Sequence, residues 1–412
     1  MKRIPLSVVT KPTGAACNLD CSYCFFLSKE LLYNAKQQKM STATLRVYIQ
    51  EFLAAHPDGP VTLLWQGGEP TLRGLDFFRC AVDYAKQFAR PEQQVSHAIQ
   101  TNGTLINAEW AEFFRENNFL VGISMDGPAN IHDSYRVNRA GRGTHKQVLR
   151  GWEILQSAGV ETNILCTVHA ANQDHPREVY EYFRDVLGAR FLQFIPIVER
   201  VERKDLAKAE AGWGHGAQLM YQQHGDAVTS RSVNPLRYGK FLREIFDIWV
   251  KRDVGTVFVQ DFDAALAAVF GTYSVCVHAP GCGNNFAMEF NGDVYACDHW
   301  VEPEWKLGNV YRSGFAELAA GQKMQTFQKK KLQQIAEKCR SCDVARFCWG
   351  GCPKDRFVGG SFREGNAENY LCAGYQDFYR HIRADVLQMA RLVAAGREAS
   401  EIMKMNLSQE SD

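Results

Sequence analysis

Apolar, β-branched-rich runs recur through the first half of the chain, at "LSVVTK" (6–11), "VTLLWQG" (61–67), "VSHAIQT" (95–101), "LVGISM" (120–125), "ETNILCTV" (161–168) and "FLQFIP" (191–196). Each is bounded by Gly, Pro, Asn or Asp, which marks them as six strands. Between them apolar residues return at helical spacing over Ser41 to Ala54, Leu75 to Phe88, Ala108 to Glu116 and His145 to Ala158. Ser41 is placed to cap the first of these helices, and the last stops before Gly159. Repeated strand–helix units predict an α/β fold, a parallel sheet covered by helices and curled into a partial (β/α)6 barrel. The stretch "RVERKDLAKAEAGWGHG" then turns polar and Gly-bearing, which sets the expected division at 1–235 for the barrel, 236–375 for a second domain and 376–412 for a terminal helix. That helix is read from "DFYRHIRADVLQMARLVAAG", and the polar tail from Asn406 is expected to be disordered.

Composition excludes several function classes. With 47 basic against 46 acidic residues and a net charge of +1, no global field recommends nucleic acid or an anionic membrane as partner. The apolar run in "MKRIPLSVVTKPTG" is too short for a signal peptide, and no stretch approaches a membrane span. A cytoplasmic location is expected. In a reducing compartment the 13 cysteines read as metal ligands rather than disulfides.

The first four strands run into a cysteine loop, "GGEP" (67–70), "TNGT" (101–104) and "SMDGP" (124–128). Taken singly the last three are turn chemistry. In a strand–helix fold, however, such loops converge on one rim, where working groups sit. Cys17, Cys21 and Cys24 are spaced C-x3-C-x2-C, one thiolate short of the four that a structural zinc or an electron-transfer cluster takes. The missing ligand leaves a position for something else. Toward the carboxyl end come Cys276, Cys282 and Cys297, then Cys339, Cys342, Cys348 and Cys352, then Cys372, the count for two clusters of four. A zinc reading of "CRSCDVARFCWGGC" stays open as an alternative. Cys80 and Cys166 are left over as buried structural thiols. "KKK" at 329–331 reads as a solvated helix face, and Trp300, Trp305 and Trp349 as packing for small loops.

The front triad with Tyr23, followed by Gly67-Gly68-Glu69-Pro70, resembles the radical S-adenosylmethionine (SAM) superfamily. That resemblance implies a 4Fe-4S cluster whose vacant iron is chelated by SAM, which is cleaved to a 5′-deoxyadenosyl radical. The carboxyl-terminal block resembles the SPASM extension of such enzymes. It implies two auxiliary clusters, one on Cys276, Cys282, Cys297 and Cys352 and one on Cys339, Cys342, Cys348 and Cys372, for three 4Fe-4S clusters in all. "WQGGEPTL" (65–72), "QTNGTL" (100–105), "GISMDGP" (122–128), "IHDSYR" (131–136), "NGDVYACDHW" (291–300) and "CWGGCPKDR" (348–356) are similar to the anaerobic sulfatase-maturating enzymes.

This similarity implies oxidation of a cysteine or serine in an unfolded or nascent sulfatase peptide to Cα-formylglycine, with an electron donor such as flavodoxin or ferredoxin. It also implies Asp298 as the base, and Gln66, Gly68, Glu69, Ser124 and Arg136 as the residues that hold SAM. From the residues alone, "NGDVYACD" is equally a hairpin with ordinary turn aspartates, and Arg136 equally a surface residue. A carboxylate shielded beside a cluster is expected to have a raised pKa. The alternative activity is modification or crosslinking of a non-sulfatase peptide. One departure stands out: "CSYCFF" has Phe26 where the family usually carries tyrosine.

Overall fold

The computed structural model describes residues 3–33, 39–360 and 366–409. All six expected strands form: β1 Ser7–Thr10, β2 Gly59–Trp65, β3 Gln93–Thr101, β4 Phe119–Ser124, β5 Thr162–Val168 and β6 Phe191–Pro196. They pair in chain order and all in parallel. The expected helices lie between them as Thr42–Ala55, Leu75–Phe88, Ala108–Glu116 and His145–Ser157. Ser41 caps the first, its hydroxyl accepting from the Thr44 amide at 3.0 Å, which satisfies one of the donors a helix start leaves free. Leu63, Trp65, Val121, Ile123, Ile164 and Val168 are fully buried under Phe52, Phe78, Phe114 and Leu155 of the helices. The sheet is therefore covered, as its near-continuous apolar strands require.

The sheet does not end with the sixth strand. A two-stranded ribbon, β7 Arg200–Val201 and β8 Ala227–Val228, stands apart, and β9 Phe258–Val259 pairs with β6. At the opposite edge β10 Asn285–Met288 pairs in parallel with β1, followed by the antiparallel β11 Asp293–Tyr295 and β12 Lys306–Asn309. One ten-stranded sheet results, in the order β12-β11-β10-β1-β2-β3-β4-β5-β6-β9. An uncovered β1 would expose a row of unpaired backbone groups. β10 satisfies them and buries Phe286 and Met288 in the process. This pairing carries the chain beyond β11 to the mouth of the barrel.

Near the carboxyl end the helix Cys372–Ala394 packs on Pro235–Arg252, with Gly239 and Gly374 facing one another so closely that a Cβ on Gly239 would lie 2.5 Å from the Gly374 carbonyl oxygen. The expected disordered tail from Asn406 is instead helical backbone, Ile402–Gln409, and residues 410–412 lie outside the described residues. Lys331 of the "KKK" run also departs from expectation. It is buried, its ammonium donating to the carbonyls of Cys276 at 2.5 Å and Val277 at 2.9 Å. Among the described residues, no helix is long and apolar enough to cross a membrane.

Candidate active site

The cysteine loop follows β1 and is fastened by every neighbouring loop. The amides of Asp20 and Ser22 donate to the carbonyls of Val137 and Tyr135, at 2.9 and 3.0 Å. Arg139 reaches the Cys17 carbonyl at 2.6 Å, and Asn18 is held by Thr104 at 2.8 Å and Asn102 at 2.9 Å. Cys17, Cys21 and Cys24 all face one cavity of about 260 Å³ at the carboxyl ends of the strands. Burial, with the Glu69 charge next, pushes the Cys17 thiol far up. Burial also drives Cys21 to about 12 and raises Cys24. Three thiols crowded into one small space, Cys17 and Cys21 buried and Cys24 partly so, ionise only beside a strong positive charge. The donor set thus fits an iron–sulfur core that leaves one position free.

Across the cavity lie Gln66, Gly68, Ser124 and Arg136, four of the five residues expected to hold SAM. Gly68 is at the closest approach of two loops: its amide donates to the Gly14 carbonyl at 2.8 Å, and a Cβ there would lie 2.1 Å from the Ala16 carbonyl oxygen. Replacing Gly68 by Ala is therefore expected to displace the cysteine loop, costing about 1–3 kcal/mol or more and abolishing SAM binding. Calorimetry against SAM on the iron-loaded variant checks this. Glu69 sits behind the cavity wall. Its carboxylate accepts from Thr71 (amide 3.0 Å, hydroxyl 2.6 Å), the Thr101 hydroxyl (2.7 Å) and the Asn102 amide (2.8 Å). It ties three loops together, and burial raises its carboxyl against the pull of those donors.

Arg136 is buried, contrary to the surface alternative, because Asp126 holds it at 2.8 and 3.2 Å. Asp126 is fully buried and also accepts from the Tyr23 hydroxyl (2.7 Å) and the Thr167 amide (2.9 Å), with the His169 ring 3.4 Å away. The tyrosine of the cysteine motif is thus an anchor. Burial alone would raise the Asp126 carboxyl; Arg136 and His169 outweigh it and hold it well below the usual range. Asp126→Asn leaves Arg136 buried without a counter-charge, an expected loss of about 3 kcal/mol. A depressed carboxyl stabilises above the unfolded pKa and stops doing so as pH falls through the folded one. The gap between parent and variant in denaturant unfolding should accordingly stay constant from about pH 5 to 8 and close only below about pH 4.

Asp298 follows the β10–β11 hairpin and faces the same cavity. The hairpin alternative is half right: Asp293 is the turn aspartate, its amide donating to the Asn291 side chain at 3.0 Å, while Asp298 lies beyond it in the cavity wall. Its carboxylate pairs with the buried Lys11 ammonium at 2.5 Å, and that ammonium also sits 3.4 Å from the centroid of the Phe26 ring. Lys11 thus lies over the ring that replaces the family's tyrosine, where a cation–π contact adds to the ion pair. The expected rise in the Asp298 pKa does not occur. Burial pushes upward most strongly, but Lys11, His299 and Lys29 together outweigh it and the net shift is down. The group is ionised at neutral pH, the state a base must start from. His299 beside it is lowered to about 4 by burial and is neutral. Sequence reading missed Lys11, Asp126, His299 and Lys354, the last of which also faces the cavity. All four stood in quoted strings, but only as parts of a strand, a turn or a motif.

The carboxyl-terminal cysteines sort into two sets of four. Cys276, Cys282, Cys297 and Cys352 lie close enough to raise one another's thiols, burial being the larger cause. Cys339, Cys342, Cys348 and Cys372 line a separate small cavity. Among the described residues no group of three or more Cys, His, Asp or Glu is placed to hold a single metal ion. Trp300 and Trp305 are buried against Phe327 near the first set, as expected of loop packing.

A partial parallel barrel with three thiols at its mouth defines a radical SAM protein, and the model of the radical SAM superfamily matches residues 12–183, while that of the SPASM iron–sulfur cluster-binding domain matches 276–343. The serine-type anaerobic sulfatase-maturating enzyme of Bacteroides thetaiotaomicron is 40% identical over 97% of this chain and 95% of its own. The cysteine-type enzyme of Clostridium perfringens is 32% identical over 94% and 98%. Structures of native anSMEcpe with bound AdoMet, and with AdoMet and the Cp18Cys peptide, superpose with TM-scores of 0.80 at 32% identity, each covering 94% of this chain and 100% and 99% of their own. The chain belongs to the anaerobic sulfatase-maturating enzymes. Membership carries a 4Fe-4S cluster with SAM, and further iron–sulfur binding in the SPASM region.

Proposed function

We propose that this chain oxidises a cysteine or serine in a sulfatase peptide to Cα-formylglycine without oxygen. The observation that supports it best is the single cavity in which the three-thiol loop and the Asp298 carboxylate face each other. When bound, the cluster and SAM supply a radical that removes a β-hydrogen from the peptide. Asp298 takes the thiol or hydroxyl proton, the one electron left on the substrate would leave through an auxiliary cluster held by the SPASM cysteines, and Lys11 keeps that carboxylate ionised and aimed into the cavity. Gln66, Gly68, Ser124 and Arg136 form the wall on which SAM is held, with Glu69 fixing the loops behind them.

The finer assignments belong to the same reading. Three 4Fe-4S clusters are held by Cys17, Cys21 and Cys24; by Cys276, Cys282, Cys297 and Cys352; and by Cys339, Cys342, Cys348 and Cys372. Residues 1–235 act as the barrel, 236–375 as the SPASM region and 376–412 as a terminal brace. A flavodoxin or ferredoxin delivers electrons in the cytoplasm, and the peptide binds unfolded or nascent. The test is anaerobic incubation of the iron-reconstituted, reduced protein with SAM and a Cys-x-Pro-x-Arg peptide, read by mass spectrometry. Aldehyde formation replaces the elements of hydrogen sulfide by one oxygen. 5′-Deoxyadenosine with an unmodified or merely hydrogen-depleted peptide would instead point to a different peptide modification.

A further inference from the structure

Two buried cations of the carboxyl-terminal region stand among the cysteines with no carboxylate to answer them. Arg356 is 1% exposed. Among the described residues its guanidinium pairs with no carboxylate and donates to four carbonyls, those of Gly350 at 3.0 Å, Lys331 at 2.6 Å, Trp349 at 2.9 Å and Gly351 at 3.2 Å. Three of the four belong to the loop that joins Cys348 of one set to Cys352 of the other. Trp349, Gly350 and Gly351 are all left-handed, with φ of 48°, 71° and 62°, which strains the tryptophan backbone and brings the three carbonyls onto one guanidinium. A Cβ on Gly350 would lie 2.9 Å from Arg356 Nη2, so this close approach needs glycine. Lys331 is also 1% exposed, and its ammonium donates to the carbonyls of Cys276 and Val277 beside the first set.

Three other buried cations each face a carboxylate: Lys11 has Asp298 at 2.5 Å, Arg136 has Asp126 at 2.8 Å and Arg231 has Glu199 at 3.1 Å. Lys29 lies in the field of Glu302. A buried charge without a counter-charge is strongly unfavourable, and carbonyl dipoles supply only part of the compensation. Burial works against Arg356 and Lys331, and what works for them is sulfur. On Arg356 it is Cys352 and Cys282 of the first set with Cys339 and Cys348 of the second. On Lys331 it is Cys282, Cys352 and Cys276, all of the first. We propose that Arg356 and Lys331 are the counter-charges of the two auxiliary clusters and raise their reduction potentials, Lys331 acting on the first cluster and Arg356 on both. This rests on the reading of the eight carboxyl-terminal cysteines as two iron–sulfur sites. A cluster on four thiolates is anionic and becomes more so on reduction, so fixed positive charge in a buried place favours its reduced form. Arginine suits the shared position because its guanidinium stays charged however deeply it is buried. Neither residue lines the cavity where the cysteine triad and Asp298 meet, so both act through the clusters as positioning residues and make them readier takers of the electron that the substrate gives up.

The experiment is potentiometric reduction of the iron-reconstituted full chain, followed by electron paramagnetic resonance, on the parent, on Lys331→Met and Arg356→Gln, and on Lys331→Arg and Arg356→Lys, which keep the charge. The front cluster, known by the change of its signal when SAM is added, is the internal control. Lys331→Met should lower one auxiliary potential by at least a tenfold change in the ratio of reduced to oxidised cluster, about 59 mV for one electron, and leave the front cluster where it was. Arg356→Gln should lower both auxiliary potentials, and the charge-keeping variants should stay close to the parent. Methionine fills the volume of the lysine stem, and Cys276 lies on an exposed loop whose carbonyls water can reach, so Lys331→Met decides the matter if Arg356→Gln does not fold. A purely structural role would show as lost iron or a lower melting temperature with the potentials unmoved, and that result overturns the proposal. Charge-keeping variants that shift as far as the neutral ones overturn it as well. If the parent holds iron and sulfide for one cluster only, the reading of the eight cysteines fails and the proposal falls with it; metal content alone tells that outcome from the others.

Discussion

Asp298→Asn should leave 5′-deoxyadenosine formation from SAM intact and lower peptide aldehyde formation by about 10²–10⁴, the range a positioned general base contributes. The two activities separate because the groups lie on different parts of one cavity. The three cysteines and the wall of Gln66, Gly68, Ser124 and Arg136 come from the loops after the first strands, whereas Asp298 arrives from the SPASM hairpin at the opposite edge of the sheet. Asparagine keeps the size of the side chain and can still face Lys11, but it cannot accept a proton. Quantifying deoxyadenosine and aldehyde in the same reaction checks the prediction. Unchanged aldehyde formation would remove Asp298 as the base, and loss of both products would mean that the substitution disturbs the neighbouring Cys297.

Replacing Cys17, Cys21 and Cys24 together by alanine should abolish SAM cleavage while leaving the fold in place. The loop packs in a small cluster of its own with Leu19 and Leu27, outside the main core. Its backbone is fixed by bonds to Val137, Tyr135 and Arg139 that do not involve sulfur. Iron content should drop by the share of one cluster, with the two carboxyl-terminal sets keeping theirs, and circular dichroism should be unchanged. Retained SAM cleavage would refute the triad as the site.

The same contrast between local and distant contacts explains what could be read in advance. The six strands and four helices were legible because alternation and helical spacing are written locally, and each boundary carried its own Gly, Pro, Asn or Ser signal. The joining of β10 to β1 was not, since a four-residue strand has little periodicity and its partner lies far away in the chain. Lys331 shows the limit from the other side. Three successive lysines read as solvated, yet the third is drawn inward by two carbonyls of a cysteine loop. Arg136 was ambiguous for a related reason: its partner Asp126 lay inside a string that reads equally well as a turn.

The sequence by itself determined how the thiols are grouped, three cysteines at the front and eight toward the back, because grouping depends only on residue identity and near spacing. It also determined the strand–helix alternation that makes the barrel. Only the tertiary structure decided which charges meet. Lys11 stands between Asp298 and Phe26 and lowers the carboxyl that sequence reasoning expected to be raised. Arg356 is set among the thiols of both carboxyl-terminal sets, and Glu69 turns inward to hold the loops. Those outcomes depend on the balance of burial against a few close partners, and that balance is set by residues brought together from opposite ends of the chain.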